Sequence, residues 1–249
     1  AQAGPPAQSV DSLIAKYIQA SGGLQRIQAI QTLRRTGKYT GGGGFEAVVV
    51  QENKRPNSVR NEFQIQGMVG INAYDGKDGW KIEPWQGKRD PESLGEEEMH
   101  GILDDADFDG PLVNYQAKGN RVEYQGVEQI EGSDAYKLKV TLKNGTVQYT
   151  YLDADSFLAI KEETKRTIRG SETEFESTLG DYKEVGGLLL PHSIQSGAKG
   201  RPEKQNIVVE KVELNPKLDD ARFKMPEAPK AAATAPAAAP APKAKPPQD

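Results

Sequence analysis

Residues 135–152, AYKLKVTLKNGTVQYTYL, decide the fold class. Tyr136, Leu138, Val140 and Leu142 alternate with Lys137, Lys139 and Thr141, so an extended chain here has one apolar face and one wet face. Asn144-Gly145 follows, the dipeptide best suited to the positive φ angles of a tight hairpin. Two antiparallel strands are expected, at 135–142 and 146–152.

The same period-two pattern extends outward in both directions. Downstream it predicts strands at 158–167, 172–185, 188–195 and 205–214, with Gly186-Gly187 as a second hairpin signal. Upstream it predicts strands at 121–125 and 127–130, then at 33–40, 45–52, 58–66, 69–74 and 80–83. Phe45, Ala47 and Val49 share one face, as do Val69, Ile71 and Ala73. Four glycines, 41–44, form a loop or bulge before a strand. Asp75-Gly76 and Asp78-Gly79 mark turns. Eleven to thirteen strands with short connections make an antiparallel meander, either a barrel or a strongly curved sheet.

Helices are few. Residues 9–19 place Val10, Leu13, Ile14, Tyr17 and Ile18 at helical spacing behind a capping Ser9 or Asp11. Ser21-Gly22-Gly23 ends that helix, and a second short one carries Leu24, Ile27 and Ile30. In the insertion 90–119, Asp90-Pro91-Glu92 reads as a helix start, with Met99, Ile102 and Leu103 as the apolar face. A second helical piece is expected over 111–117, ended by Gly119-Asn120. So little helix leaves two options: the barrel closes on its own side chains, or part of an apolar concavity stays free for lipid or acyl chains.

Composition excludes other classes. The chain has 249 residues, a net charge of −4, 36% hydrophobic residues and no Cys; its mean hydropathy is −0.69. No apolar run approaches the ~18–20 residues of a spanning helix. Without Cys there is no disulfide scaffold, thiolate metal site or thiol nucleophile. Two His make zinc, copper or haem chemistry hard to build, and no cofactor or metal is expected. A mildly acidic chain without a basic stripe argues against nucleic acid. Residues 1–8 begin Ala-Gln-Ala-Gly-Pro-Pro, small and polar like a flexible mature N-terminus after signal-peptide removal, although a trimmed chain reads the same way. Residues 228–249 hold ten Ala and six Pro and are expected to be a disordered tail. One folded domain is expected over 9–227.

Signatures of catalysis are weak. Asp105, Asp107, Asp109 and Gly110 match the first half of a calcium loop, but Gln116 stands where the bidentate acid belongs. Carboxylates two apart also form ordinary solvated turns. His100 and His192 each lack a partner motif, and no G-x-S-x-G, P-loop or G-x-G-x-x-G is present. Glu162-Glu163 with Lys161 and Lys165 reads as a wet strand face. Trp80 and Trp85 flank Pro84 and serve either as core or as ligand-contact aromatics. No catalytic residue is assigned.

Several segments taken together resemble a known family. They are Tyr17 to Leu24 with Ile30 to Leu33; Ala73-Tyr74-Asp75-Gly76 with Asp78-Gly79-Trp80; Asp107 to Leu112 with Lys118-Gly119-Asn120; Tyr136 to Val140 with Tyr151-Leu152-Asp153; and Asp181-Tyr182 with Val185 to His192. In order and spacing they resemble the LolA-like outer-membrane lipoprotein-sorting family, broadly the LolA/LolB/LppX superfamily, over residues 9–225. The resemblance implies a periplasmic, mainly β (α+β) fold. Its half-open antiparallel barrel has about eleven strands and a helical lid over an apolar concavity that holds acyl chains. The family's lid-binding Arg has Arg34, Arg35 and Arg60 as positional counterparts, and none is assigned that role.

The expected function is a non-enzymatic periplasmic carrier for lipids or lipoprotein acyl chains, with peripheral contact to membrane components. Its expected lipid-binding set is Phe45, Val49, Ile71, Trp80, Trp85 and Leu138 from strands, with Met99, Ile102 and Leu103 from the lid. The alternative is a non-enzymatic envelope sensor or interaction module with a protein partner. A hydrolase would need convergent acids in the concavity.

Overall fold

The computed structural model describes residues 9–168 and 171–227. The expectations for the N-terminal stretch 1–8 and the Ala/Pro-rich tail 228–249 lie outside them.

Two helices open the chain: α1 (Val10–Ala20) and α2 (Leu24–Ala29). Ser9 caps α1, its hydroxyl accepting from the Ser12 N–H at 3.2 Å. Strands β1 (Thr32–Thr40), β2 (Glu46–Lys54), β3 (Ser58–Ile65), β4 (Met68–Tyr74), β5 (Gly79–Glu83) and β6 (Lys88–Ser93) follow as a meander. Helix α3 (Glu96–Ala106) comes next. The second meander is β7 (Arg121–Ile130), β8 (Ser133–Thr141), β9 (Val147–Asp153), β10 (Ala159–Ile168) and β11 (Ser171–Gly180). A small hairpin, β12 (Lys183–Val185) and β13 (Leu188–Leu190), precedes β14 (Ser193–Ala198) and β15 (Gln205–Leu214).

Among the described residues, thirteen strands form one antiparallel sheet in the order β6-β5-β4-β3-β2-β1-β15-β14-β11-β10-β9-β8-β7. Strands β6 and β7 are its free edges, so the barrel stays half open. Pairing of β1 with β15 joins the two meanders. Among the described residues the fold is mainly β with three α-helices, the α+β class expected.

Five local expectations need correction. Asp90-Pro91-Glu92 lies in β6 and starts no helix. Pro91 falls where the β5–β6 register shifts and has no partner on β5, so its missing N–H breaks no ladder. The helix starts at Glu96 instead, where the Glu98 carboxylate reaches back to the Gly95 N–H at 2.9 Å. Residues 111–117 are a run of turns rather than a helix, with Asn114 at φ 53°. Strand β7 is continuous through 121–130 because its break at Gly126 is only a bulge. The long strands expected at 172–185 and 188–195 are each interrupted. Asp181, at φ 49°, turns the first, and Pro191, which cannot donate to a ladder, separates β13 from β14.

Directly paired residues share a face, so the register sorts side chains into an inner and an outer surface. On the inner face α1 packs against β7–β9. Leu13 and Ile14 meet Val122, Tyr136, Leu138, Val140 and Leu152 in one buried cluster. Helix α3 covers β3 and β4, setting Ile102 and Ala106 on Val59 and Tyr74. Helix α2 and the β12–β13 hairpin close one end through Ile30, Leu33 and Leu188. The C-terminal segment after β15 crosses the outer face. There Arg222 pairs with Glu52 at 2.7 Å, and the buried Trp80 indole donates to the Phe223 carbonyl at 2.7 Å.

Candidate functional site: a cavity on the inner face

Between α1 and α3 the described residues leave a cavity of about 1190 Å³ on the inner face. Its walls come from β1–β3, β9–β11, β14 and β15, and its end from α2, the β12–β13 hairpin and the 103–120 segment. Apolar wall is supplied by Leu33, Val49, Phe63, Leu179, Ile194, Ile207, Val209 and Leu214, with Leu188 to Leu190 from the hairpin. A bulge in β15 makes this run of β15 residues possible. The β1 partners shift between Thr36 and Gly37, so Val209 opposite Gly37 and Val212 opposite Arg35 both face inward despite opposite parity.

Polar groups interrupt the apolar wall. Arg35, Gln51 and Asn61 lie opposite one another on β1, β2 and β3. Arg35 Nη1 donates to Gln51 Oε1 at 2.8 Å. Burial pulls its guanidinium below the usual arginine range, and Asp105 pushes back. Asp105, in the last turn of α3, accepts from Asn61 Nδ2 at 2.8 Å, while its carbonyl accepts from Asn53 Nδ2 at 2.8 Å. On the far wall Glu162 faces Tyr17 and Tyr182. Burial first, then the Glu162 charge, pushes the Tyr17 hydroxyl up to about 12. Burial likewise raises Tyr182, whose hydroxyl donates to the Ala159 carbonyl at 2.6 Å.

The three acids of the half calcium loop point to separate partners. Asp105 joins the Asn pair, Asp107 pairs with Lys118 at 2.6 Å, and Asp109 pairs with Arg55 at 2.7 Å. Among the described residues, no group of three His, Asp or Glu converges as a metal site. His100 is exposed, and His192 is buried with Nδ1 2.9 Å from the Leu190 carbonyl. Glu163 sits on the outer face between Lys161 and Lys199 at 2.8 and 2.9 Å.

Of the nine residues expected to bind lipid, Val49 and Leu103 line the cavity. Phe45 stands beside it, 45% exposed and edge-on to Tyr39, whose ring also meets Phe63. Trp85 is 42% exposed and lies over Gly70, where a Cβ would run into its ring. Leu138 is on the inner face but sealed beneath α1. Met99 and Ile102 belong to the packing of α3 on β3 and β4. Ile71 and Trp80 are on the outer face, because Ile71 pairs with Glu62 and Trp80 stands in the row Arg34, Glu52, Arg60, Ala73. Sequence reasoning missed Leu188 to Leu190, Ile194, Ile207 and the polar row through Arg35. The alternation of Gln205, Ile207 and Val209 with polar or exposed neighbours was a usable signal for part of that set.

No protein-family model matches the sequence, and no curated protein matches it either. Solved structures do resemble it. A DUF1329 family protein from Desulfovibrio piger superposes with a TM-score of 0.59 at 13% identity, over 88% of this chain and 98% of that one. A LolA superfamily protein from Nitrosomonas europaea gives 0.58 at 15% identity, over 88% and 98%. A domain described as an outer-membrane lipoprotein-sorting protein, from Vibrio parahaemolyticus, gives 0.58 at 13%, over 86% and 97%. The chain therefore has a LolA-like fold.

Proposed function

We propose that this chain is a non-enzymatic, extracytoplasmic carrier that holds acyl chains of a lipid or lipoprotein in the inner-face cavity, in the service of outer-membrane lipoprotein sorting. One observation carries the proposal: a thirteen-stranded sheet leaves its apolar inner wall uncovered around about 1190 Å³. That exceeds the ~300–1,000 Å³ typical of ligand pockets. Apolar surface left in contact with water is costly, and each CH₂ transferred onto it contributes about 0.8 kcal/mol before ordering costs. Val49, Phe63, Leu103, Ile194, Ile207 and Val209 are the proposed contacts. Phe45 and Trp85, exposed near Tyr39 and Gly70, are proposed as first contacts for an entering chain. The likeness to a lipoprotein-sorting domain and a LolA superfamily protein supports the reading at the level of fold. A periplasmic address follows as part of it.

Native mass spectrometry of the protein purified from its own envelope tests the proposal. A co-purifying lipid or acylated peptide near one-to-one is the expected result. A clean apo mass, together with no uptake of a fluorescent fatty acid, would overturn the carrier and leave the interaction module on the same fold.

A further inference from the structure

The arginines of this chain are treated unequally. Arg34, Arg55, Arg60 and Arg222 each hold a carboxylate at 2.7–2.8 Å. Arg35 projects from mid-β1 into the cavity and is bonded to the neutral Gln51. No carboxylate of a described residue comes within the 4.0 Å of an ion pair. A half-buried cation with no carboxylate in ion-pair range is costly, and an arginine fork offers five donors of which this hydrogen bond uses one.

The surroundings fit a second partner. Val212 is directly across on β15, and Leu33 shares the inner face two residues away on β1. Several acids near the cavity are already engaged. Asp107 is held by Lys118, Asp109 by Arg55, and Glu62 by Arg60 on the outer face. Asp105 is the acid closest in influence, and its carboxylate is held by Asn61. Glu162 is on β10, four strands from β1, about 19 Å along the sheet.

We propose that Arg35 is the headgroup anchor of the cavity, selecting a single-chain amphiphile with a carboxylate head whose tail lies across β15, β14 and β11. A carboxylate matches the guanidinium fork with two parallel N–H···O bonds. The tail then runs past Val209, Ile207, Ile194 and Leu179. This assignment rests on the carrier reading above and, of its two ligand classes, selects an acidic lipid over a lipoprotein.

The test compares dodecanoate with dodecanol, same chain and different head, by displacement of a fluorescent fatty acid. The wild type is expected to bind dodecanoate about tenfold more tightly, as one charge-assisted bond of roughly 1.4 kcal/mol would give. Arg35→Met is expected to lose that preference while keeping dodecanol binding. Asp105→Asn keeps an acceptor for Asn61 and is expected to raise the preference for dodecanoate over dodecanol several-fold, which covers the case of a poorly folded Arg35→Met. Equal binding of the two probes by wild type would overturn the anchor and leave the carrier standing. Binding of neither would overturn both.

Discussion

The inner face of the sheet has two halves built from the same alternating strands. Under α1, the β7–β9 half is a sealed core. Leu13, Leu138, Val140 and Leu152 are 0% exposed there. The half formed by β1–β3 with β15, β14 and β11 also faces inward, yet among the described residues no helix seals it and a cavity remains. Its wall mixes Val49, Ile207 and Val209 with Arg35, Gln51, Asn61 and Ser177. A helix with a continuous apolar stripe converts one half into structure. The lack of such a helix leaves the other half as a site. Apolar alternation is thus a statement about faces, and whether a face becomes core or cavity depends on what covers it.

Mutations should separate the halves sharply. Leu138→Ala in the sealed half leaves a void that α1 cannot fill and is expected to cost about 2–5 kcal/mol in denaturant unfolding; a cost below about 1 kcal/mol would mean that α1 is loosely docked. At the seam between the meanders, Gly37→Ala would drive a Cβ into the Val208 carbonyl. Backbone on β1 or β15 must move, with an expected loss of about 1–3 kcal/mol. In the open half, Leu103→Ser touches a residue that is 39% exposed. Stability should change by no more than about 0.5 kcal/mol, while uptake of a fluorescent fatty acid falls several-fold. Were stability to drop and uptake to hold, Leu103 would be packing rather than site.

The smallest effect belongs to the outer face. Lys204 above all, with Lys161, pulls the Glu176 carboxyl from an ordinary 4.5 down to about 2. A depressed carboxylate pKa gives stability that is fully present above pH 4.5 and is lost as pH falls from 4.5 to about 2. Glu176→Gln should flatten that acid limb slightly, and salt should shrink the difference, because the group is near solvent. Unfolding curves at pH 5 and pH 2.5, in low and high salt, check both points.

Much of this was legible in the chain. The 135–152 hairpin, the capped α1 and the two-residue turn at Gly186-Gly187, where both φ angles are positive, follow from local chemistry. The candidate site was less legible. Val69, Ile71 and Ala73 do share a face, but it is the outer one, where Ala73 and Trp80 lie under the C-terminal segment. Period two cannot tell inside from outside when both surfaces are partly covered. Pro91 misled because a helix N1 and an edge strand tolerate the missing N–H equally well. Arg35 looked like any strand arginine beside Arg34, and only the register puts one inward and the other opposite Glu52.

The antiparallel β class, the turns and the apolar stripe of α1 can be read from the chain, because they depend on residues near one another in it. That the sheet stays open, which face is cupped and which apolar strands α1 covers are set by long-range packing. Those outcomes depend on pairing β1 with β15 and on a bulge that reverses parity midway along β15. Such contacts join residues far apart in sequence, and no local pattern encodes their register.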